Sequence, residues 1–210
     1  MCRHICDVTE VLSVPKVVNH ELKKEEVARA TWRVVARLGL EAATIREIAK
    51  EARCSTGALT HYFKNKDELL LYALGLSVER EAGRMIEKRL ETSGYEALRG
   101  VLLEALPLDR ERRLEWQVWV NFWSRRARKA SVANEQKRWY GQYRNGVRDL
   151  LLYCQQMGIL RSDIDPSREA DAISVFVDGI GVNATLNPQR FPSKLQVAML
   201  DHYLENLFRR

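Results

Sequence analysis

Apolar residues recur at intervals of three and four over nearly the whole chain, the spacing of amphipathic helices. Over residues 22 to 38, Val27, Ala30, Thr31, Val34, Val35 and Leu38 share one face, and Gly39 stops the run. Ile45, Ile48 and Ala49 repeat the spacing over 45–52, with Thr44 placed to cap and Glu47 three residues on. Ala52-Arg53-Cys54 is a short turn, and Ser55 caps a third helix over 56–62. Asn65 caps a fourth over 66–90, whose apolar face runs from Leu69, Leu70, Ala73 and Leu74 to Met85 and Ile86. A fifth helix over 95–106 ends at Pro107, a sixth runs over 108–129, and a seventh over 132–157 stops at Gly158. Asp165-Pro166-Ser167 opens the eighth, with Ala170, Ile173, Val177, Ile180 and Gly181 on its apolar face, and Asn187-Pro188 breaks it. Ser193 caps a ninth, which carries Leu195, Ala198, Met199, Tyr203, Leu204 and Leu207. No convincing strand pattern interrupts this series. The expected fold is all-α, with about nine helices, a small head and a larger C-terminal bundle.

The segment TIREIAKEARCSTGALTHYFKNK, residues 44 to 66, is the most informative. Two short helices joined by a tight turn form a helix-turn-helix. Gly57-Ala58 strips the first turn of the second helix almost bare, so that helix can lie close in a DNA major groove. Thr56, Gly57, Ala58 and Thr60 are the candidates for base edges, by hydroxyl contacts and by methyl packing on thymine. None is Arg, Gln or Asn, so bidentate readout from this helix is absent, and two heads per operator are expected. Arg53 in the turn is either a guanine contact or a plain surface charge. Thr44 and Ser55 stand at helix starts, where a hydroxyl and the helix dipole suit a phosphate. Lys66, in the first turn of the fourth helix, reaches the same strand, with Lys64 and Arg46 as weaker candidates. Ile45, Ile48, Leu59 and Phe63 read as core.

TIREIAKEARCSTGALTHYFKNKDELL, with Gly39 before it and the Tyr62-Phe63 pair within it, resembles the DNA-binding signature of the TetR family of bacterial regulators over residues 22 to 72. The resemblance implies that His61 and Tyr62 hold the DNA backbone. It also implies a ligand-responsive regulator, an operator-bound dimer and a C-terminal ligand-binding and dimerisation domain. The division expected is a disordered N-terminal extension at 1–19, a helix-turn-helix DNA-binding domain at 20–66, and a helical ligand-binding and dimerisation domain at 67–210.

EWQVWVNFWSRRARKASVANEQKRWYGQYRNGVRDLL, residues 115 to 151, is similar to the matching helices of BetI-type regulators, the choline-responsive branch. Trp116, Trp119 and Trp123 recur at helical spacing, and Trp139, Tyr140 and Tyr143 stand on the next helix. Such rings either pack as core or wall a ligand pocket, where cation–π attraction holds a quaternary ammonium or other amine at about 0.5–2 kcal/mol per ring. Asp178, on an otherwise apolar helix, is a counter-charge for such a ligand or else a solvated or interface residue. The eighth and ninth helices are expected to form the dimer interface, using Ile173, Phe176, Ile180, Ala184, Met199, Tyr203 and Leu207, with Gly179 and Gly181 letting helices approach. A two-fold dimer sets two recognition helices about 34 Å apart, which requires a palindromic operator.

Composition adds limits. The 210-residue chain is 46% hydrophobic and 30% charged, with a net charge of +6. Residues 20 to 66 hold ten Lys or Arg against six Asp or Glu, so most of the positive excess sits in the head. No apolar run reaches the roughly 18 residues of a membrane span, and a cytoplasmic protein with reduced cysteines is expected. Cys2-x-His4-x-Cys6 has no second ligand cluster to complete a metal site, and no cofactor is expected. The histidines 4, 20, 61 and 202 do not converge, and no nucleophile constellation or phosphate loop points to an enzyme. The basic run Arg125, Arg126, Arg128, Lys129, Lys137 and Arg138 reads as a solvated face. Repressor and activator share this head, and so does a sequence-tolerant structural DNA binder.

Overall fold

A computed structural model of the chain describes residues 16–123 and 130–209. The expectations about residues 1–15 and 124–129, including the Cys2-x-His4-x-Cys6 motif and Arg125 to Lys129, lie outside the described residues. The described residues form α1 (Lys16–Ala42), α2 (Ile45–Glu51), α3 (Thr56–Tyr62), α4 (Lys66–Glu91), α5 (Gly94–Glu104), α6 (Arg110–Trp123), α7 (Ala130–Gln156), α8 (Pro166–Leu186) and α9 (Ser193–Phe208), with no strand among them.

Four helix starts follow the expected capping residues, but α9 does not: Pro192 takes its N-cap position, and the Ser193 hydroxyl donates instead to the Leu108 carbonyl at 2.6 Å. Thr44 accepts from the Glu47 amide, Ser55 from Ala58, Asn65 from Glu68, and Asp165 from Ser167 and Arg168. Helix α1 begins six residues earlier than the hydrophobic pattern indicates. Gly39, expected to stop it, instead kinks it with φ 77° and ψ 167°, and one further turn reaches Ala42. A left-handed φ is available to glycine at little steric cost. Leu38, placed on the apolar face by periodicity, is turned outward, and Trp32 is buried in its stead. The Trp32 indole N–H donates to the Ala73 carbonyl of α4 at 2.8 Å, which satisfies its one polar atom.

Two cores result. The first joins α1, α2, α3 and the first half of α4, and it includes Val118 and Phe122 of α6. The second joins α5, α7, α8 and α9. Helices α4 and α6 thus both run from the head into the bundle. Asn121 of α6 reinforces this, because its side-chain oxygen accepts from the Leu40 amide at 3.3 Å, just past the Gly39 kink. No described helix is long and apolar enough to cross a membrane.

The assignment of Ile173, Ile180 and Ala184 to a subunit interface does not hold. All three are at most 2% exposed within a single chain. Periodicity located the apolar face of α8 correctly, but the chain's own α6 and α7 cover it. Gly181 points the same way, with the Trp116 ring against it. The outward faces of α8 and α9 carry Val175 and Leu186, the stacked pair Phe176 and Tyr203 at 4.6 Å, and the half-buried Met199 and Leu207.

Candidate functional site

Two places gather the expected residues. The first is the outer edge of the head. Leu59 and Phe63 are buried and fix α3 against the first core, while Thr56, Gly57, Ala58, Thr60 and His61 on the same helix are exposed. Nothing but the Ser55 hydroxyl comes within 4 Å of where a Gly57 Cβ would lie, so the bare turn is open. Thr44, Arg46, Arg53, Ser55 and Lys64 are exposed around it. The Ser55 hydroxyl accepts from Ala58, and Thr60 donates to the Gly57 carbonyl at 3.0 Å, which leaves the Thr60 oxygen as an acceptor toward a base. Arg53 has φ 53°, the left-handed turn residue between α2 and α3.

Tyr62 is half-buried at the end of α3. Its ring lies 4.8 Å from His20 of α1 and 5.5 Å from His61, so α1 and α3 present one aromatic edge. His20 was missed by sequence reasoning, since its position near the start of α1 gave no sign of this contact. Lys66 differs from the expectation in what it touches. Its ammonium donates to the carbonyls of Leu40 and Glu41 at 3.0 and 3.1 Å, neutralising the negative end of α1. Those contacts give Lys66 a structural role that its position in the sequence did not reveal.

The second place is a cavity of about 240 Å³ among α4, α5, α6, α7 and α8. Trp116, Trp119, Trp123, Trp139, Tyr143 and Asp178 all line it. Trp119 and Trp139 meet edge to face at 6.2 Å, and so do Trp116 and Trp123 at 6.4 Å. The Trp116 indole donates to the Ala105 carbonyl at 2.8 Å, which locks that wall. Tyr140, singled out in the sequence beside Trp139 and Tyr143, lines it too, whereas sequence reading did not place Glu81, Met85 or Gln142 there. Glu81 lies on a helix rich in exposed acids, and periodicity alone does not mark the one that faces inward.

The cavity is apolar with two carboxylates. Burial and the neighbouring Glu115 push the Glu81 carboxyl up to about 8, against the weaker opposing pull of Arg84. Burial likewise raises Asp178 to about 6, and a hydrogen bond from Tyr140 partly offsets it. Arg84 is held elsewhere. It makes a two-pronged pair with Glu115 at 2.8 and 3.2 Å and bonds Glu104 at 3.1 Å, and Arg112 bonds the same Glu104 at 3.0 Å. Among the described residues, the buried Tyr143 hydroxyl has no hydrogen-bond partner. No group of three or more His, Cys, Asp or Glu suited to a metal occurs among the described residues.

Comparison with known proteins agrees with both halves of this description. Residues 28–73 match the family described as bacterial regulatory proteins, tetR family, and residues 94–209 match the BetI-type transcriptional repressor C-terminal family. The HTH-type transcriptional regulator PksA of Bacillus subtilis (strain 168) is 34% identical over 178 residues, covering 84% of this chain and 85% of PksA. The HTH-type transcriptional regulator BetI of Vibrio atlanticus (strain LGP32) is 28% identical over 212 residues, covering 91% and 94%. Among solved structures, a transcriptional regulator from Rhodococcus sp. Rha1 superposes with a TM-score of 0.77 at 30% identity, covering 88% of this chain and 95% of that one. A regulator from Saccharomonospora viridis in complex with choline has the same fold, with a TM-score of 0.83 at 22% identity over 90% of this chain and all of that one. With a helix-turn-helix head and a C-terminal domain that each match, the chain belongs to the TetR family of DNA-binding transcriptional regulators, in its BetI-like branch.

Proposed function

We propose that the protein is a repressor that binds a palindromic operator as a homodimer and is released when a small cationic inducer fills the aromatic cavity. Residues 20–66 carry the operator contacts and residues 67–210 the ligand site and the dimer interface. The protein then acts where its DNA lies, in the cytoplasm.

The observation that carries this reading is the double duty of α6. Its Trp116, Trp119 and Trp123 line the cavity, while Val118, Asn121 and Phe122 of the same helix pack or bond in the head. A ligand that prefers one placement of α6 and α4 therefore biases the head, by no more than its difference in affinity for the two placements. The volume is below the ~300–1,000 Å³ of sites for drug-sized ligands, which suits a small molecule. Indole faces and buried carboxylates suit a cation. The Saccharomonospora viridis regulator of this fold is in complex with choline, a quaternary ammonium ion.

Dimerisation is assigned to the outward faces of α8 and α9. Val175 and Leu186 are 67% and 71% exposed there, beside the Phe176–Tyr203 stack, and a second copy would cover them. Fluorescence anisotropy with a labelled palindrome from the upstream region tests the reading. Binding of one dimer per palindrome and its reversal by a cationic small molecule are expected. Equal affinity for random DNA, or a monomer in sedimentation at micromolar concentration, contradicts it.

A further inference from the structure

The charges inside the cavity narrow the ligand beyond a generic cation. Two acids face the same space from different walls, Glu81 from α4 and Asp178 from α8. Among the described residues the Glu81 carboxyl makes no hydrogen bond or ion pair. The groups acting on it are Arg84 on α4, Glu104 on α5, Glu115 on α6 and Asp178 on α8. Arg84, the one cation in that set, is already spent on Glu115 and Glu104. Arg89 also lines the cavity, but eight residues along α4 place it roughly 12 Å from Glu81, at an exposed edge. Among the described residues, the one group that hydrogen-bonds Asp178 is the Tyr140 hydroxyl.

The Tyr143 hydroxyl is the second, independent sign of a missing partner. It is buried, it has no hydrogen bond among the described residues, and Glu81 and then Asp178 are the acids acting on it. A buried hydroxyl left unpaired costs about 1–3 kcal/mol, so an occupant that supplies its partner recovers that energy. A quaternary ammonium has no N–H to give to Tyr143 or Glu81. A monoamine reaches one of the two acids and leaves the other without a partner.

We propose that the cavity takes a small aliphatic diamine or polyamine, with one ammonium between Glu81 and the Tyr143 hydroxyl and the other at Asp178 beside Tyr140. Its methylene chain lies between the faces of Trp116, Trp119, Trp123 and Trp139. This assignment rests on the cavity being the inducer site. A dication ionises both acids, so its binding expels the proton that Glu81 holds at neutral pH in the empty cavity.

The test is isothermal titration calorimetry of the full chain with 1,4-diaminobutane, 1,5-diaminopentane, n-butylamine and choline. Each is run at pH 7 in two buffers of different ionisation enthalpy, with operator release followed in parallel. Diamines are expected to bind at least about tenfold tighter than n-butylamine or choline, which is 1.4 kcal/mol, and to release close to one proton. Glu81→Gln and Asp178→Asn, made separately, are each expected to bring the diamine down to the n-butylamine level, and Glu81→Gln to abolish the proton release. Choline or n-butylamine binding as tightly as the diamines overturns the proposal, and so does diamine affinity unchanged in both variants. Tight choline binding with operator release sinks the diamine and keeps the inducer reading. Tight diamine binding without operator release does the reverse, and no binding by any of the four sinks both.

Discussion

The indole of Trp116 lies against the backbone of Gly181, so close that a Cβ there would sit 2.2 Å from the ring. The contact fixes α6 to α8 and forms one wall of the cavity. Trp116 cannot swing away without losing its bond to the Ala105 carbonyl. Gly181→Ala is therefore expected to destabilise the protein by about 1–3 kcal/mol through overpacking and to weaken inducer binding. A melting temperature and a ligand affinity both equal to the parent would refute this role for the glycine.

Tyr62 is assigned to the DNA backbone, and the His20 and His61 rings hold it in place. Tyr62→Phe keeps the ring contacts and removes one hydroxyl, so operator affinity should fall by about 1.5–3 kcal/mol, the range for a hydrogen bond to a charged group. The melting temperature should hardly move. Because the hydroxyl carries no charge and displaces no counterion, the slope of log affinity against log salt should stay as in the parent. Unchanged affinity in Tyr62→Phe would place the hydroxyl away from DNA.

Asn121 ties α6 to the head through the Leu40 amide. Asn121→Ala removes that acceptor while leaving Trp119 and Trp123 in place, and should cost about 0.5–1.5 kcal/mol of stability. If α6 transmits the ligand state, the variant still binds inducer but releases operator less completely. A parental ratio of operator affinities with and without inducer would assign the coupling to α4 alone.

The buried acids predict an unusual pH response. Glu81 ionises at about 8 in the folded chain against a usual 4.5, and Asp178 at about 6 against 3.8. Both values are raised, so the unfolded chain releases these protons first. Stability of the empty protein is then full below about pH 4 for these two groups and is lost as pH rises toward 8, by on the order of a few kcal/mol. Glu81→Gln should remove most of that loss. Denaturant melts at pH 5 and pH 8 should show the variant gaining on the parent only at the higher pH. An equal gain at both would show that Glu81 is not held protonated.

The sequence by itself determined the helices, the head and the aromatic residues that meet in the cavity. These are local matters. Capping side chains such as Thr44, Ser55, Asn65 and Asp165 act on amides two or three residues away. The Gly57-Ala58 gap is visible wherever the helix is placed, and the Trp spacing on α6 follows from 3.6 residues per turn. What only the tertiary structure decided is which neighbour covers each face. Periodicity marked Ile173, Ile180 and Ala184 as apolar-facing, but the chain's own helices bury them, and only the outward residues remain for a second copy. Lys66 found carbonyls 25 and 26 residues away, His20 found Tyr62, and Glu81 came to line the cavity with Tyr143 and Asp178. A one-dimensional pattern gives the direction of a side chain relative to its own helix axis. Its partner, and so its protonation, depends on distances across the fold that chain spacing does not encode.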